Sequence, residues 1–113
     1  MPPSIEDRLT DILTAIERIE LVVSEKTFDD FESDIISRAA VERFLEIVCE
    51  ASRKLPNDLK QQTPHIPWRK MINFGNILRH AYHATRAEVV WDIITNDLLV
   101  LKVFIQSRKG RTE

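Results

Sequence analysis

The residues with the most chemical capacity lie between positions 69 and 86. Asn73, Asn76, His80 and His83 recur at steps of three, four and three, a spacing that lines them along one face of an α-helix. Arg79 adjoins His80, Tyr82 lies two residues beyond it, and Arg69 and Arg86 flank the stretch. Histidine, with an unperturbed pKa of about 6.5, can take and give a proton near neutral pH. Arginine offers a planar fork of donors that matches phosphate. Together they suit acid/base chemistry on a substrate that gathers negative charge. The charge distribution agrees. The formal net charge is −2, yet no acidic residue stands between Asp58 and Glu88, where Lys60, Arg69, Lys70, Arg79 and Arg86 give a window of +5. The rest of the chain carries −7. A basic patch on an acidic body fits a defined anionic ligand better than indiscriminate coating of DNA; the alternative is that these charges merely scatter around a helix. His80 and His83 also have zinc-ligand spacing, but no Cys, Asp or Glu stands nearby to complete a shell, so no metal is expected. His65 falls in a connector and reads as a solvated or capping residue.

A polar stripe needs a scaffold, and the remaining sequence predicts helices. Only two glycines and five prolines occur in 113 residues, a balance that favours long helices with short connections. Ser4-Ile5-Glu6-Asp7 has the form of a capping arrangement. Ile5, Leu9, Ile12, Ile16, Ile19 and Val23 follow as a helical seam, placing a first helix at about Ser4 to Ser24. Phe28 and Phe31 suggest a short helical turn. From Asp34 onwards Ile35, Ala39, Phe44, Ile47, Val48, Ala51 and Leu55 predict an apolar face, with Arg53, Lys54 and Pro56 marking its end. Pro56 to Pro67 is a connector with room for one helical turn at Asn57–Gln61. A further helix is expected from Trp68 to Tyr82, with Met71, Phe74, Leu78 and Ala81 opposite the polar stripe. Thr85, with Glu88 three residues on, predicts the cap of a last helix, whose core side is Val90, Ile94, Leu98, Leu101 and Ile105. The expected fold is all-α: an antiparallel bundle of four main helices plus one or two short ones. It forms one domain over 1–113, with 1–3 and 107–113 frayed. No run approaches the roughly 18 apolar residues of a membrane span, and the N-terminus lacks a signal pattern, so the expected location is the cytoplasm. Cys49 sits in an apolar stripe and reads as a small buried hydrophobe. Trp68 and Trp91 read as core or interface anchors rather than base-stacking platforms.

The segment Ile66-Pro67-Trp68-Arg69-Lys70-Met71-Ile72-Asn73-Phe74-Gly75-Asn76-Ile77-Leu78-Arg79-His80-Ala81-Tyr82 resembles the HepT-like family of HEPN-domain proteins. There an Ile-Pro-Trp entry leads into a helix bearing Asn-x-x-x-His-x-Tyr. The stretches Val41-x-x-x-Leu45-Glu46-Ile47, Glu50-Ala51, Val90-Trp91-Asp92-Ile93 and Asp97-Leu98-x-x-Leu101 resemble it too, so the similarity extends from about Ile5 to Ile105. The resemblance implies an all-α HEPN domain that dimerises, bringing two polar helix faces together across a shared cleft. It implies a metal-independent, cofactor-free ribonuclease toxin of a type VII toxin–antitoxin pair, acting on RNA. The implied partner is a minimal nucleotidyltransferase antitoxin that attaches AMP to the tyrosine of His-x-Tyr. Carried over, His80 is the catalytic histidine, Tyr82 the candidate AMPylation site, and Asn76 the asparagine beside the active-site arginine. Arg79 becomes the phosphate contact, with Asn73, His83, Arg69 and Arg86 as further candidates for contact with RNA.

One position departs from the pattern. The family commonly has arginine just before the asparagine, and here that residue is Gly75, with Arg79 immediately before His80. The pattern resembles a branch of the family with glycine at that place and Arg-His adjacent. Two readings therefore stand: an active ribonuclease, or an inactive HEPN dimer that binds RNA or nucleotide or docks the nucleotidyltransferase. A third is a plain interaction module using the seam from Ile5 to Val23. Tyr82 and Asn76 have alternative readings as a packing residue and a helix-surface residue.

Overall fold

Ser4 and Asp7 begin the first helix by exchanging hydrogen bonds. The Ser4 hydroxyl accepts from the Asp7 backbone N–H at 3.1 Å, and Asp7 Oδ2 accepts from the Ser4 N–H at 3.0 Å, which satisfies two donors the helix itself cannot. In the computed structural model, which describes residues 3–80 and 86–112 and side chains as far as 108, this helix, α1, spans Ile5–Val23. Thr27 and Asp30 repeat the device at the start of α2, Phe28–Ser33. Asp34 caps α3, Ile35–Arg53, by accepting from the N–H groups of Ile36 and Ser37. The connector holds α4, Asn57–Gln62, and then α5 runs over Trp68–His80. The last helix consists of α6, Ala87–Asp92, a π turn, Ile93–Asp97, and α7, Leu98–Thr112. Among the described residues all regular structure is helical, in a bundle of four long elements, and no helix is long and apolar enough to cross a membrane.

α3 lies at the centre, packed against α1 on one side and α5 on the other, and α7 closes against α1. Leu9, Ile12, Ile16, Ile19, Leu45, Met71, Leu101 and Ile105 are fully buried there. Both tryptophans anchor elements to this core. Trp68 Nε1 donates to Thr63 Oγ1 at 2.9 Å, tying α5 to the connector, and the ring meets Phe104 of α7 edge-on at 6.1 Å. Trp91 packs against Phe28 and Phe31 of α2.

Four local expectations change. The buried stripe of α3 is Ser37, Val41, Leu45, Val48, Cys49, Ala51 and Ser52, whereas Ile35 and Ala39 face outwards. Val41, Leu45 and Val48, fully buried, fix the inward face, and Ser37 lies on it with its hydroxyl donating to the second Asp34 carboxylate oxygen at 2.7 Å. The last helix starts at Ala87 with Arg86 as a cap that makes no side-chain bond. Glu88 accepts from Arg86 Nε instead, and Thr85 lies outside the described residues. That helix is also not uniform. Its buried positions run Val90, Ile93, Leu98, Leu101 and Ile105, with a step of five across the π turn, where the Leu98 N–H reaches back to the Ile93 carbonyl. The wider turn inserts one residue into the register, which turns Ile94 partly outwards. Lys70 of α5 braces this turn, its Nζ 2.6 Å from Asp97 Oδ2 and 3.6 Å from Asp92 Oδ2. Beyond 107, where fraying is expected, the helix continues to Thr112; Arg108 Nε donates to Glu6 at 3.0 Å.

Candidate active site

α5 separates its residues as the spacing predicts. Trp68, Met71, Phe74, Gly75 and Leu78 are buried, and Asn73, Asn76, Arg79 and His80 are exposed. Ala81, Tyr82 and His83 fall outside the described residues.

Gly75 stands where α5 packs tightly against α3. A Cβ at this position would lie 2.7 Å from Cys49 Cβ, well inside van der Waals contact. The glycine is therefore required by packing, because the neighbouring atom is fixed directly to the α3 backbone. Cys49 itself is enclosed, and burial pushes its thiol from 9.0 up to about 12. Only the thiolate reacts readily, so native protein at pH 8 should resist a thiol reagent that labels urea-unfolded chains promptly. Rapid labelling without unfolding would contradict this enclosure. The same shift gives a sign for stability. A thiol whose pKa is raised by folding stabilises fully below about 9, and that contribution fades as pH climbs towards 12.

Arg79, one turn later on α5, reaches back alongside this contact. Its Nη1 lies 3.8 Å from where a Gly75 Cβ would be. Nη1 donates to Glu50 Oε2 at 3.4 Å, and Nη2 donates to Asn76 Oδ1. Glu50, on α3, also takes Arg53 Nη2 at 2.6 Å and stands 3.5 Å from Lys54 Nζ. The Arg53 hydrogen bond, reinforced by the charges of Arg53 and Lys54, holds the Glu50 carboxyl below the usual carboxylate range. The guanidinium is thus fixed on two sides, while the side chain keeps 38% of its surface exposed. His80 follows by one residue, about 100° further round the helix, with its imidazole exposed. Arg79 and Glu50 also wall a cleft of about 360 Å³ between α1, α3 and α5, of mixed charge, which Arg8, Asp11, Arg43, Glu46 and Lys54 line as well.

Asn76, Arg79 and His80 therefore gather on the last described turns of α5. Arg69 and Asn73 share the face but sit back along it, Arg69 about 16 Å from His80 along the axis. Both line a separate apolar groove of about 500 Å³ with Phe74, Ile77, Val89 and Ile93. Arg86 lies across the undescribed 81–85 segment, its Nε engaged by Glu88 at 3.2 Å. Glu50 is the candidate site residue that the sequence did not single out. Its spacing from Arg53 and Lys54 signals local ion pairs, but nothing in the sequence signals Arg79.

A family model described as ribonuclease HepT-like matches residues 12–108. The chain belongs to the HepT-like ribonuclease family. It is 43% identical over 102 residues to a protein of Thermococcus cleftensis named "Probable ribonuclease HepT", covering 90% of this chain and 93% of that one. It is 33% identical over 109 residues to a "Putative RNase" of Methanocaldococcus jannaschii, covering 93% of this chain and 90% of the relative. No solved structure matches.

Proposed function

We propose that this HepT-like chain is the ribonuclease toxin of a toxin–antitoxin pair, cleaving RNA without a metal in a cleft completed by a second copy. What supports the reading most is a guanidinium held by Asn76 and Glu50 next to an exposed imidazole. In the proposed reaction the 2′-oxygen of a nucleotide attacks its own 3′-phosphorus, and the bond from phosphorus to the 5′-oxygen breaks. The products are a 2′,3′-cyclic phosphate end and a 5′-hydroxyl end. His80 accepts the 2′-hydroxyl proton, and a protonated imidazole from the second copy supplies one to the departing 5′-oxygen. Arg79 offsets the charge that builds on the non-bridging oxygens. Asn76, whose Oδ1 is occupied by Arg79, keeps its amide N–H groups to donate to the substrate.

Expression without the antitoxin should arrest growth, and His80→Ala should abolish the arrest. Undiminished toxicity of that variant removes the mechanism. Tyr82 carries a separate expectation. On co-expression with the minimal nucleotidyltransferase, the tryptic peptide His80–Arg86 should gain the mass of one or more AMP groups. An unmodified peptide counts against AMPylation. A second reading, an inactive dimer that binds RNA or nucleotide or docks the nucleotidyltransferase, is favoured by Gly75 in place of the family's arginine. It predicts RNA retention without cleavage by the wild type.

A further inference from the structure

The ribonuclease reading gives Arg79 a task but does not say what aims it. An arginine side chain has four rotatable bonds on an exposed surface, and holding it in one place has an entropic cost. Two groups fix it here. Asn76, one turn earlier on α5, meets Nη2, and Glu50, on a different helix, meets Nη1. Only the second ties the guanidinium to the body of the bundle. Glu50 is in turn met by Arg53 and Lys54 of its own helix, each within 3.5 Å, so its carboxylate is an ionised acceptor with partners on both helices. α3 and α5 meet tightly at Cys49 and Gly75, the residues preceding Glu50 and Asn76 in sequence. The same contact therefore sets the distance between the carboxylate and the guanidinium.

Resting on the ribonuclease reading, we propose that Glu50 is a positioning residue for cleavage, acting through Arg79. It touches no substrate; it fixes the cation over Gly75 so that the outer edge of the guanidinium faces the nucleic acid. The assignment differs from a general electrostatic effect of removing an acidic group. Loss of negative charge beside Arg8, Arg43 and Lys54 alone should tighten RNA binding and lower KM, whereas loss of aim should lower kcat.

The experiment compares Glu50→Ala, Glu50→Gln, Arg79→Ala and the double variant Glu50→Ala/Arg79→Ala in cleavage of a labelled RNA, with thermal unfolding of each. Glu50→Ala should lower kcat by about tenfold or more, the order expected when a charge-stabilising group is misplaced, with KM unchanged or lower. Glu50→Gln, whose carbonyl can still accept from Nη1, should keep kcat within about threefold of the wild type. In the Arg79→Ala background the Glu50 substitution should cost nothing further, because the group it positions is gone. A Glu50→Ala enzyme with wild-type kcat, or an equal loss in the Arg79→Ala background, overturns the assignment. Nitrogen-15 spectra of the arginine side chains separate this from failure of the ribonuclease reading. Arg79 should give distinct, slowly exchanging Nη signals in the wild type that average in Glu50→Ala. A wild type that cleaves nothing but shows this change keeps the clamp and loses the nuclease; a cleaving enzyme whose Arg79 signals ignore Glu50→Ala does the reverse.

Discussion

Replacing His80 by alanine should lower kcat for RNA cleavage by about 10²- to 10⁴-fold, the range that a positioned acid/base group contributes. The position makes the result interpretable. His80 is exposed at the end of α5, so its removal opens no cavity, and stability should change by less than about 0.5 kcal/mol. A loss of turnover with unchanged thermal unfolding is then a loss of chemistry. His80→Gln should fare no better, since an amide keeps a donor and an acceptor but cannot exchange a proton near neutral pH. KM should move far less than kcat, because a group acting in the transition state adds little to ground-state binding. If both variants turn over like the wild type, the imidazole is not the acid/base, and the binding reading gains. That reading can be tested in the same preparation, where Arg79→Ala should weaken RNA retention and reduce its salt dependence.

The sequence carried much of this site, and the parts it missed share a cause. The stripe Asn73, Asn76 and His80 was legible because helical periodicity alone places it on one face, and a capped α1 was legible because its capping box is local. Ile35 and Ala39 were misplaced because apolar type suggested burial, whereas packing of Val41, Leu45 and Val48 set the inward direction of α3. The π turn was hidden because Asp92, Thr95 and Asn96 look like ordinary helix-surface residues. In the fold, Thr95 and Asn96 donate to the carbonyls of Trp91 and Asp92 around the widened turn. Most consequential was the contact of Arg79 with Glu50, 29 residues away. No pattern within one helix encodes a partner on another, so the sequence could name the cation and not the group that aims it.

Gly75 is where fold and chemistry constrain each other, and substituting it should be the most damaging change to stability considered. Alanine is the better helix former by about 1 kcal/mol, so Gly75→Ala would stabilise a free helix. Here its Cβ would come within 2.7 Å of Cys49 Cβ, and overpacking of this kind costs about 1–3 kcal/mol. Because that neighbour is bound directly to the α3 backbone, relief requires the helices to part. Urea unfolding should therefore show Gly75→Ala to be less stable than the wild type. Cys49→Ala, which keeps the clashing atom, should not rescue it, whereas in a Cys49→Gly background the added methyl should cost little or nothing. Gly75→Arg, which restores the residue the family commonly has, should be worse still, by about 3 kcal/mol or more, since a longer side chain must leave through the same contact. It should also crowd the Arg79 guanidinium, whose Nη1 lies 3.8 Å from where the Cβ of residue 75 would be. A stable Gly75→Arg protein with raised activity would mean that helix contact does not exclude arginine here. A destabilised one that cleaves no faster would mean that, on this backbone, the cation has to come from Arg79.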